Sequence, residues 1–365
     1  MKRILFLVNH HVVIYNFRRE LVERLLAEGY EVFVSSPYGK RIDDLVQMGC
    51  RYVEVNIDRH GINPIDEYRL FRYYSEILRD IQPNVVLTYT IKPNIYGSLA
   101  CKKLGIPSIA NVTGLGTAIE NSEIVRKILI QLYRVAFSDV QCVFFQNKHN
   151  ERFFLDNRVN MRRHRVIPGS GVNLVQHCFE EYPADDGITR FLFIGRIMKD
   201  KGIEELIDAA TVVLRRCKNI QFDAVGFCEE DYKDKAEELE KLGVIKFHGV
   251  QDDVHEFIRN CNAVVLPSYH EGMANVLLEA ASTGRPVLAS NIPGCMETFD
   301  EGISGFGFTP KDPQDLESVL IKFINLPYEQ KRAMGIAGRQ KMEREFDRNT
   351  VVDAYLEEIN KIINT

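Results

Sequence analysis

Long hydrophobic runs are missing from this 365-residue chain: no apolar stretch approaches the ~20 residues that a membrane-spanning helix requires. The start, Met1-Lys2-Arg3-Ile4-Leu5-Phe6, is basic but turns polar by Asn9, which reads as a first strand and not as a secretion signal. CxxC pairs are lacking as well. The eight cysteines are scattered, and several, Cys142 among them, sit in apolar runs. The expectation is reduced, buried thiols in a cytoplasmic protein, with no zinc site. No GxGxxG follows the first apolar run of either half, which argues against an NAD-dependent dehydrogenase. Short-period repeats and low-complexity tracts are absent too.

What is present reads as two globular α/β halves. Hydrophobic residues make up 45% and charged residues 27%, and the length favours two cores over one. Apolar runs such as Arg3–Val8, Glu31–Ser35, Asn84–Tyr89, Pro107–Val112 and Cys142–Asn147 alternate with helical periodicity, as at Phe17–Gly29, Tyr68–Arg79 and Ile124–Phe137. That rhythm breaks into acidic, Pro- and Gly-containing sequence at Val172–Gly187 and restarts at Thr189. The division is an N-terminal domain over 1–172, a linker over 173–188, a C-terminal domain over 189–345, and a last helix over 346–365 packing back on the first domain. Each domain is expected to be a doubly wound parallel sheet, with ligand bound in a cleft beyond the strands' carboxyl ends.

The net charge of −5 is unevenly spread: 24 basic residues face 17 acidic ones over 1–175, and 22 face 34 over the remainder. A basic half suggests an anionic contact. Nucleic acid is disfavoured, because the basic residues are dispersed and no aromatic-rich recognition motif accompanies them. An anionic membrane surface is the better expectation. Ile124–Phe137 is strongly apolar and carries Arg126, Lys127 and Arg134, so it reads either as a helix lying on such a surface or as a core helix with a solvated basic strip.

The densest signal is Pro267–Pro286, PSYHEGMANVLLEAASTGRP: an apolar strand, a tight turn, a helix from Asn275, and Gly284 and Pro286 as stops. A helix start offers unpaired N–H groups to a phosphate. Glu271 stands before it and Glu279 within it, as acceptors for sugar hydroxyls. Alone, the pair reads equally as solvated glutamates of an ordinary β-α unit. Upstream, Gly195-Arg196-Ile197-Met198-Lys199-Asp200-Lys201-Gly202 follows the second half's first strand. Arg196 and Lys201 there suit a diphosphate leaving group without a metal, while Lys199 reads as surface charge. His10, His11 and His60 read as polar loop residues, and Asp252-Asp253 as a helix cap, not as metal ligands.

Together, Gly195-Arg196, Lys201-Gly202, Pro267-Ser268, Glu271-Gly272, Glu279-Ala280 and Gly284-x-Pro286 resemble the donor site of retaining glycosyltransferases of family 4, which have the GT-B architecture of two Rossmann-like domains. The N-terminal half resembles a bacterial subgroup that builds capsule, O-antigen and protein-linked glycans on polyprenyl diphosphate. The matching pieces are Tyr15-x-Phe17-Arg18, Lys92-Pro93-Asn94-Ile95-Tyr96-Gly97, Val112-Thr113-Gly114-Leu115-Gly116 and Gly169-Ser170-Gly171-Val172.

The resemblance implies that Arg196 and Lys201 hold the donor diphosphate, with Glu271 near the donor sugar and Glu279 on the ribose. The backbone from Gly272 through Met273, Ala274 and Asn275 would meet phosphate and sugar oxygens. The Gly249–Val250 loop would contact the base, and Tyr15 and Asn16, in the first strand-helix turn, would close over the diphosphate. Thr90, Lys92, Asn94 and Thr113 fall on the acceptor side.

Three positions depart from the pattern. His11-Val12-Val13-Ile14 stands where relatives carry Gly-Gly, Ala274 replaces a common Pro, and Thr88–Lys92 lacks the His often found there. Glu271 has no evident basic partner in the sequence, which favours same-face attack over a covalent intermediate.

The implied activity is transfer of an N-acetylhexosamine or galactose-type hexose from a UDP-sugar to a polyprenyl-diphosphate-linked saccharide. It would need no metal or other cofactor and would occur at the inner face of the cell membrane. The alternatives are a nucleotide-sugar 2-epimerase of the same fold and a non-catalytic nucleotide- or glycan-binding protein.

Overall fold

The computed structural model describes residues 2–56, 61, 63–114 and 123–364. His60, Leu115 and Gly116, named above, lie outside them. The chain forms two compact units, Met1–Ser170 with Asn349–Thr365, and Gly171–Arg348. Residues 173–188 therefore lie within the second unit.

The first unit runs β1 (Arg3–Leu7), α1 (Val12–Ala27), β2 (Glu31–Ser36), α2 (Lys40–Gln47), β3 (Arg51–Glu54), α3 (Pro64–Ile81), β4 (Val85–Tyr89), a π-helical turn Pro93–Gly97 into α4 (Ser98–Leu104), β5 (Ser108–Val112), α5 (Glu123–Phe137), β6 (Cys142–Phe145), α6 (Lys148–Asp156) and β7 (His164–Val166). Its seven strands are all parallel, in the order β3-β2-β1-β4-β5-β6-β7. β4, β5 and β6 are buried along their whole length, the expected state of central strands covered by helices on both faces. α3 starts where Asn63 Oδ1 accepts the Ile65 N–H and Pro64 takes the first helical position.

α1 begins at Val12 and not at Phe17, so Tyr15 and Asn16 lie inside the helix and not in the turn before it. The run Val12-Val13-Ile14-Tyr15 has weak intrinsic helix preference, but Ile14 is fully buried and its packing decides the outcome.

The second unit repeats the alternation with β8 (Thr189–Ile194), α7 (Ile203–Arg216), β9 (Ile220–Val225), α8 (Lys233–Lys241), β10 (Lys246–Phe247), α9 (His255–Asn260), β11 (Ala263–Leu266), α10 (Asn275–Ser282), β12 (Val287–Ser290), β13 (Gly305–Phe308), α11 (Pro313–Ile324) and α12 (Tyr328–Glu345). Its parallel order is β10-β9-β8-β11-β12-β13. The order reverses between β8 and β11, and such a switch point opens a crevice at the strands' carboxyl ends.

α13 (Arg348–Ile363) ends the chain, and its residues from Asn349 onward belong to the first unit. Val351, Tyr355, Leu356 and Ile359 share one core with Ile4, Phe6, Val34, Leu87 and Phe144. The Tyr355 ring lies 4.6 Å from that of Phe144, and its hydroxyl donates to Asn111 Oδ1. Arg18 is buried beside it, its guanidinium 5.3 Å from the Tyr355 ring centroid and 5.4 Å from that of Tyr89. Tyr355→Ala is expected to cost about 3–5 kcal/mol of first-unit stability, read by urea denaturation.

Candidate functional site

In the second unit, the loops leaving β8, β11 and β12 are fastened to one another. The β8 loop reaches the β11 loop first: the Tyr269 N–H donates to the Asp200 carbonyl at 3.0 Å. Gly202 lies at φ +69°, and a Cβ there would overlap the Pro267 carbonyl oxygen, so only glycine serves both needs. Side chains then join the same loops. Lys201 Nζ lies 2.5 Å from Glu271 Oε1, and Ser268 Oγ donates to that same oxygen at 2.8 Å. The expectation that Glu271 lacks a basic partner is corrected: Lys201 is that partner. Both contacts fall on Oε1, and Oε2 has no hydrogen-bond partner among the described residues.

The β12 loop supplies the third side. The Ala274 N–H donates to the Gly294 carbonyl at 2.8 Å, and Gly294, at φ +88°, leaves no room for a Cβ against the Glu271 and Gly272 carbonyls. Of the helix-start amides expected to face phosphate, that of Ala274 is therefore committed within the fold. Met273 and Ala274 are buried and Asn275 partly exposed, with Asn275 Oδ1 enclosed and unpartnered among the described residues. The Gly294 N–H in turn donates to Glu297 Oε2 at 2.7 Å. Sequence reading did not single out this loop, although Pro293-Gly294 after the apolar run Val287–Ala289 was an available turn signal.

Arg196 opens the β8 loop, 60% exposed and 3.6 Å from Glu229 Oε1, so a stronger anion can displace that weak contact. On the other flank, the Gly249 carbonyl accepts the Gly226 N–H at 2.8 Å, and Val250 beside it is exposed. His248 Nε2, 2.7 Å from Asp223 Oδ1, fixes the strand end that carries this loop.

Glu279 points from α10 with its side chain 20% exposed, 4.0 Å from His177 Nε2. Burial pushes its carboxyl up to about 7, against a smaller opposing pull from Arg348. Near neutral pH it is poised between an acid and a carboxylate acceptor.

The acceptor-side candidates lie at the carboxyl ends of β4 and β5 in the first unit. Thr90 holds the left-handed backbone conformation, φ +68°, with its hydroxyl on the Tyr89 carbonyl. That geometry costs a β-branched residue about 1–3 kcal/mol and is characteristic of functional positions. Thr113 is partly exposed. Asn94 and Lys92 are engaged elsewhere. Asn94 is buried, accepting from Thr88 Oγ1 at 2.8 Å and donating to the Asn111 carbonyl at 2.6 Å, while Lys92 pairs with Glu67 at 2.5 Å. Tyr15 on α1 faces the Arg41 guanidinium, 4.8 Å from its ring, and Asn16 is exposed.

α5 buries Ile130, Tyr133, Ala136 and Phe137 and exposes Ile124, Ile128 and Val135 on its opposite side. Arg134 is drawn inward, donating to the Asn157 carbonyl at 2.7 and 3.0 Å, so it does not belong to the outer face. Arg126 lies over Phe153, and Lys127 pairs with Glu123 at 2.9 Å. Among the described residues no helix is long and apolar enough to cross a membrane.

Two family profiles match along this framework, Glycosyl transferase 4-like over residues 3–147 and Glycosyl transferases group 1 over 177–341. The chain belongs to the glycosyltransferases. Across its length the transferase is 26% identical to an N,N'-diacetylbacillosaminyl-diphospho-undecaprenol alpha-1,3-N-acetylgalactosaminyltransferase of Campylobacter jejuni, the match covering 99% of each chain. It is 29% identical to the capsular polysaccharide biosynthesis glycosyltransferase CapM of Staphylococcus aureus, over 47% of this chain and 45% of that one. The GT-B fold of two parallel-sheet Rossmann-like domains recurs in Anabaena HepE, solved with UDP and glucose. HepE superposes with a TM-score of 0.79 at 18% identity, covering 99% of this chain and all of that one.

The raised Glu279 carboxyl has a measurable consequence. The folded transferase holds this proton up to about pH 7, whereas the unfolded chain releases it near the ordinary glutamate value of 4.5. The stability this group contributes is thus complete below about pH 4.5 and is lost as pH rises through 7. Glu279→Gln is expected to unfold at higher urea than the parent at pH 8, by up to roughly 3 kcal/mol, with the difference vanishing near pH 4.5.

Proposed function

We propose that the protein is a retaining transferase that moves an N-acetylhexosamine, N-acetylgalactosamine first among them, from its UDP-activated form to a polyprenyl-diphosphate-linked saccharide. The full-length likeness to the Campylobacter transferase, whose name specifies that sugar and that type of acceptor, is the observation that carries this reading. UDP in the HepE structure supports the choice of nucleotide. The joined loops of the second unit supply the matching chemistry.

In this reading Lys201 and Arg196 neutralise the diphosphate as the anomeric carbon–oxygen bond breaks. Glu279, as carboxylate, accepts the ribose hydroxyls. Glu271 is held by Lys201 and Ser268 through Oε1 and keeps Oε2 for a donor-sugar hydroxyl. An ion-paired carboxylate is a poor nucleophile, so the acceptor oxygen attacks from the face the leaving group departs from, and its proton passes to the leaving phosphate. No metal is needed to carry the diphosphate charge. Thr90 and Thr113 take the acceptor side. A 2-epimerase would act on the donor alone, and a binding protein would leave it intact.

The test is a product assay with labelled UDP-N-acetylgalactosamine, with and without a polyprenyl-diphosphate-linked saccharide, in the presence of EDTA. The expected result is an α-linked product only with acceptor. Lys201→Ala should lower kcat/KM by about 100-fold or more. Glu271→Ala should slow turnover without a glycosyl adduct at intact mass in the parent enzyme. Epimerised donor, or product only when a divalent metal is restored, would refute the reading.

We also propose that α5 rests on the anionic inner face of the membrane where such an acceptor resides. The exposed Ile124, Ile128 and Val135 form one stripe with Lys127 beside it, on the half of the chain that carries excess positive charge. Sedimentation with anionic vesicles at low salt is expected for the parent and lost in an Ile124→Ser/Ile128→Ser variant. Equal sedimentation of the two removes α5 from the contact.

A further inference from the structure

A second cluster of chemically active side chains lies in the same unit, outside the loops described above. Cys178 and Glu180 come from the segment preceding β8, and His255 from the first position of α9, some 75 residues further on. Cys178 Sγ is 3.7 Å from Glu180 Oε1, that oxygen is 3.2 Å from His255 Nε2, and the three residues each bring one ligand atom within 4.8 Å of the other two. Tetrahedral zinc with bonds of about 2.0–2.3 Å needs ligand atoms about 3.4–3.6 Å apart. The Cys178–Glu180 and Glu180–His255 spacings are close to that, and the Cys178–His255 spacing, at most 4.8 Å, closes by about 1 Å through side-chain rotation of the exposed Cys178.

The backbone that carries the three residues is already fixed. Arg285 is buried, and its guanidinium donates to the carbonyls of Glu180 at 3.0 Å and Glu181 at 2.8 Å on one side. On the other it reaches those of Ile258 at 3.2 Å and Arg259 at 2.6 Å, in α9. One side chain therefore clamps the Glu180 segment to the helix bearing His255. Next to Cys178, the His177 carbonyl is held by Ser282 Oγ at 2.6 Å and by Arg339 Nη1 at 3.1 Å. Ligands mounted on a rigid backbone lose little freedom when a metal arrives. Cys178 is exposed, so the ion has a path in and a fourth position for water.

We infer that Cys178, Glu180 and His255 form a binding site for a Zn2+ ion, separate from the diphosphate-holding loops. Thiolate, imidazole and carboxylate together select zinc over the oxygen-preferring Mg2+ and Ca2+. On binding, the Cys178 thiol proton and any Nε2 proton of His255 leave to solvent. His255 Nδ1 is enclosed and has no hydrogen-bond partner among the described residues, whereas tight sites give that nitrogen an acceptor. The site therefore belongs to the exchangeable class and not to permanently metallated ones. The cysteine spacing alone hid it, because no CxxC or HxxxH is involved and only folding brings residue 255 to residues 178 and 180.

The experiment uses the full chain, stripped with chelator and kept reduced by a phosphine, and titrated with zinc chloride by calorimetry and with cobalt(II) by absorption. The expected result is one equivalent of zinc per chain, a cobalt spectrum with a thiolate charge-transfer band, and a rise in melting temperature on adding zinc. Cys178→Ser and His255→Gln should each weaken zinc binding at least tenfold, with Cys178→Ser losing the charge-transfer band and Cys217→Ser retaining parental affinity. The exposed Cys178→Ser variant should fold as the parent does, which its melting temperature without metal verifies. Absence of a stoichiometric zinc equivalent, or parental affinity in Cys178→Ser, overturns the proposal.

Discussion

The contact on which the second unit's site depends is the one between Lys201 and Glu271. It joins the loop after β8 to the loop after β11, the two strands that flank the reversal of sheet order. Both side chains are largely withdrawn from water, at 22% and 14% exposure, and removal of either would leave the other as an uncompensated charge. Neighbouring features serve this contact. Gly202 allows the β8 loop to press on Pro267, Ser268 gives Glu271 Oε1 a second donor, and Gly294 lets the β12 loop close against the Glu271 carbonyl. The result is a held ammonium, with the exposed guanidinium of Arg196 on the same β8 loop, at the end of the sheet where a bound anion gains most from both.

The same contact gives Glu271 a cationic partner that its sequence context does not reveal. Held through Oε1 by an ammonium and a hydroxyl, it fits the proposed orienting role, with one oxygen left to offer. Glu279 is tuned in the opposite sense: burial raises its carboxyl to about 7, and a ligand presenting hydroxyl donors would draw it back to the charged form. Two glutamates eight residues apart in one β-α unit therefore have different surroundings: one is held by a lysine, and the other is largely withdrawn from water.

Much of this was legible before folding was considered. Strands such as Val85–Tyr89 and Cys142–Phe145 announce themselves as short apolar runs between turn signals, and α10 by its run of helix formers ending at Gly284. The start of α1 was not, because β-branched Val12, Val13 and Ile14 carry a weak helical preference that only burial of Ile14 overrides. Short α2 and α6 lack enough turns for periodicity to speak. At the site, residue types were readable but pairings were not. Lys201 and Glu271 are 70 residues apart, Lys92 and Glu67 are 25 apart and Arg134 and Asn157 are 23 apart, and no local pattern encodes which neighbour a long cationic side chain will choose. Asn94 illustrates the same limit: its place in a motif does not reveal that both ends of its amide are used to fasten β4 to β5.

A structure of the protein with UDP bound tests the central claim most directly. The account predicts the β-phosphate within about 3 Å of Lys201 Nζ, Arg196 turned from Glu229 onto the diphosphate, and the ribose hydroxyls on Glu279. A nucleotide seated away from the β8 and β11 loops, or a Lys201 that remains paired only with Glu271 while the diphosphate is held elsewhere, would contradict it.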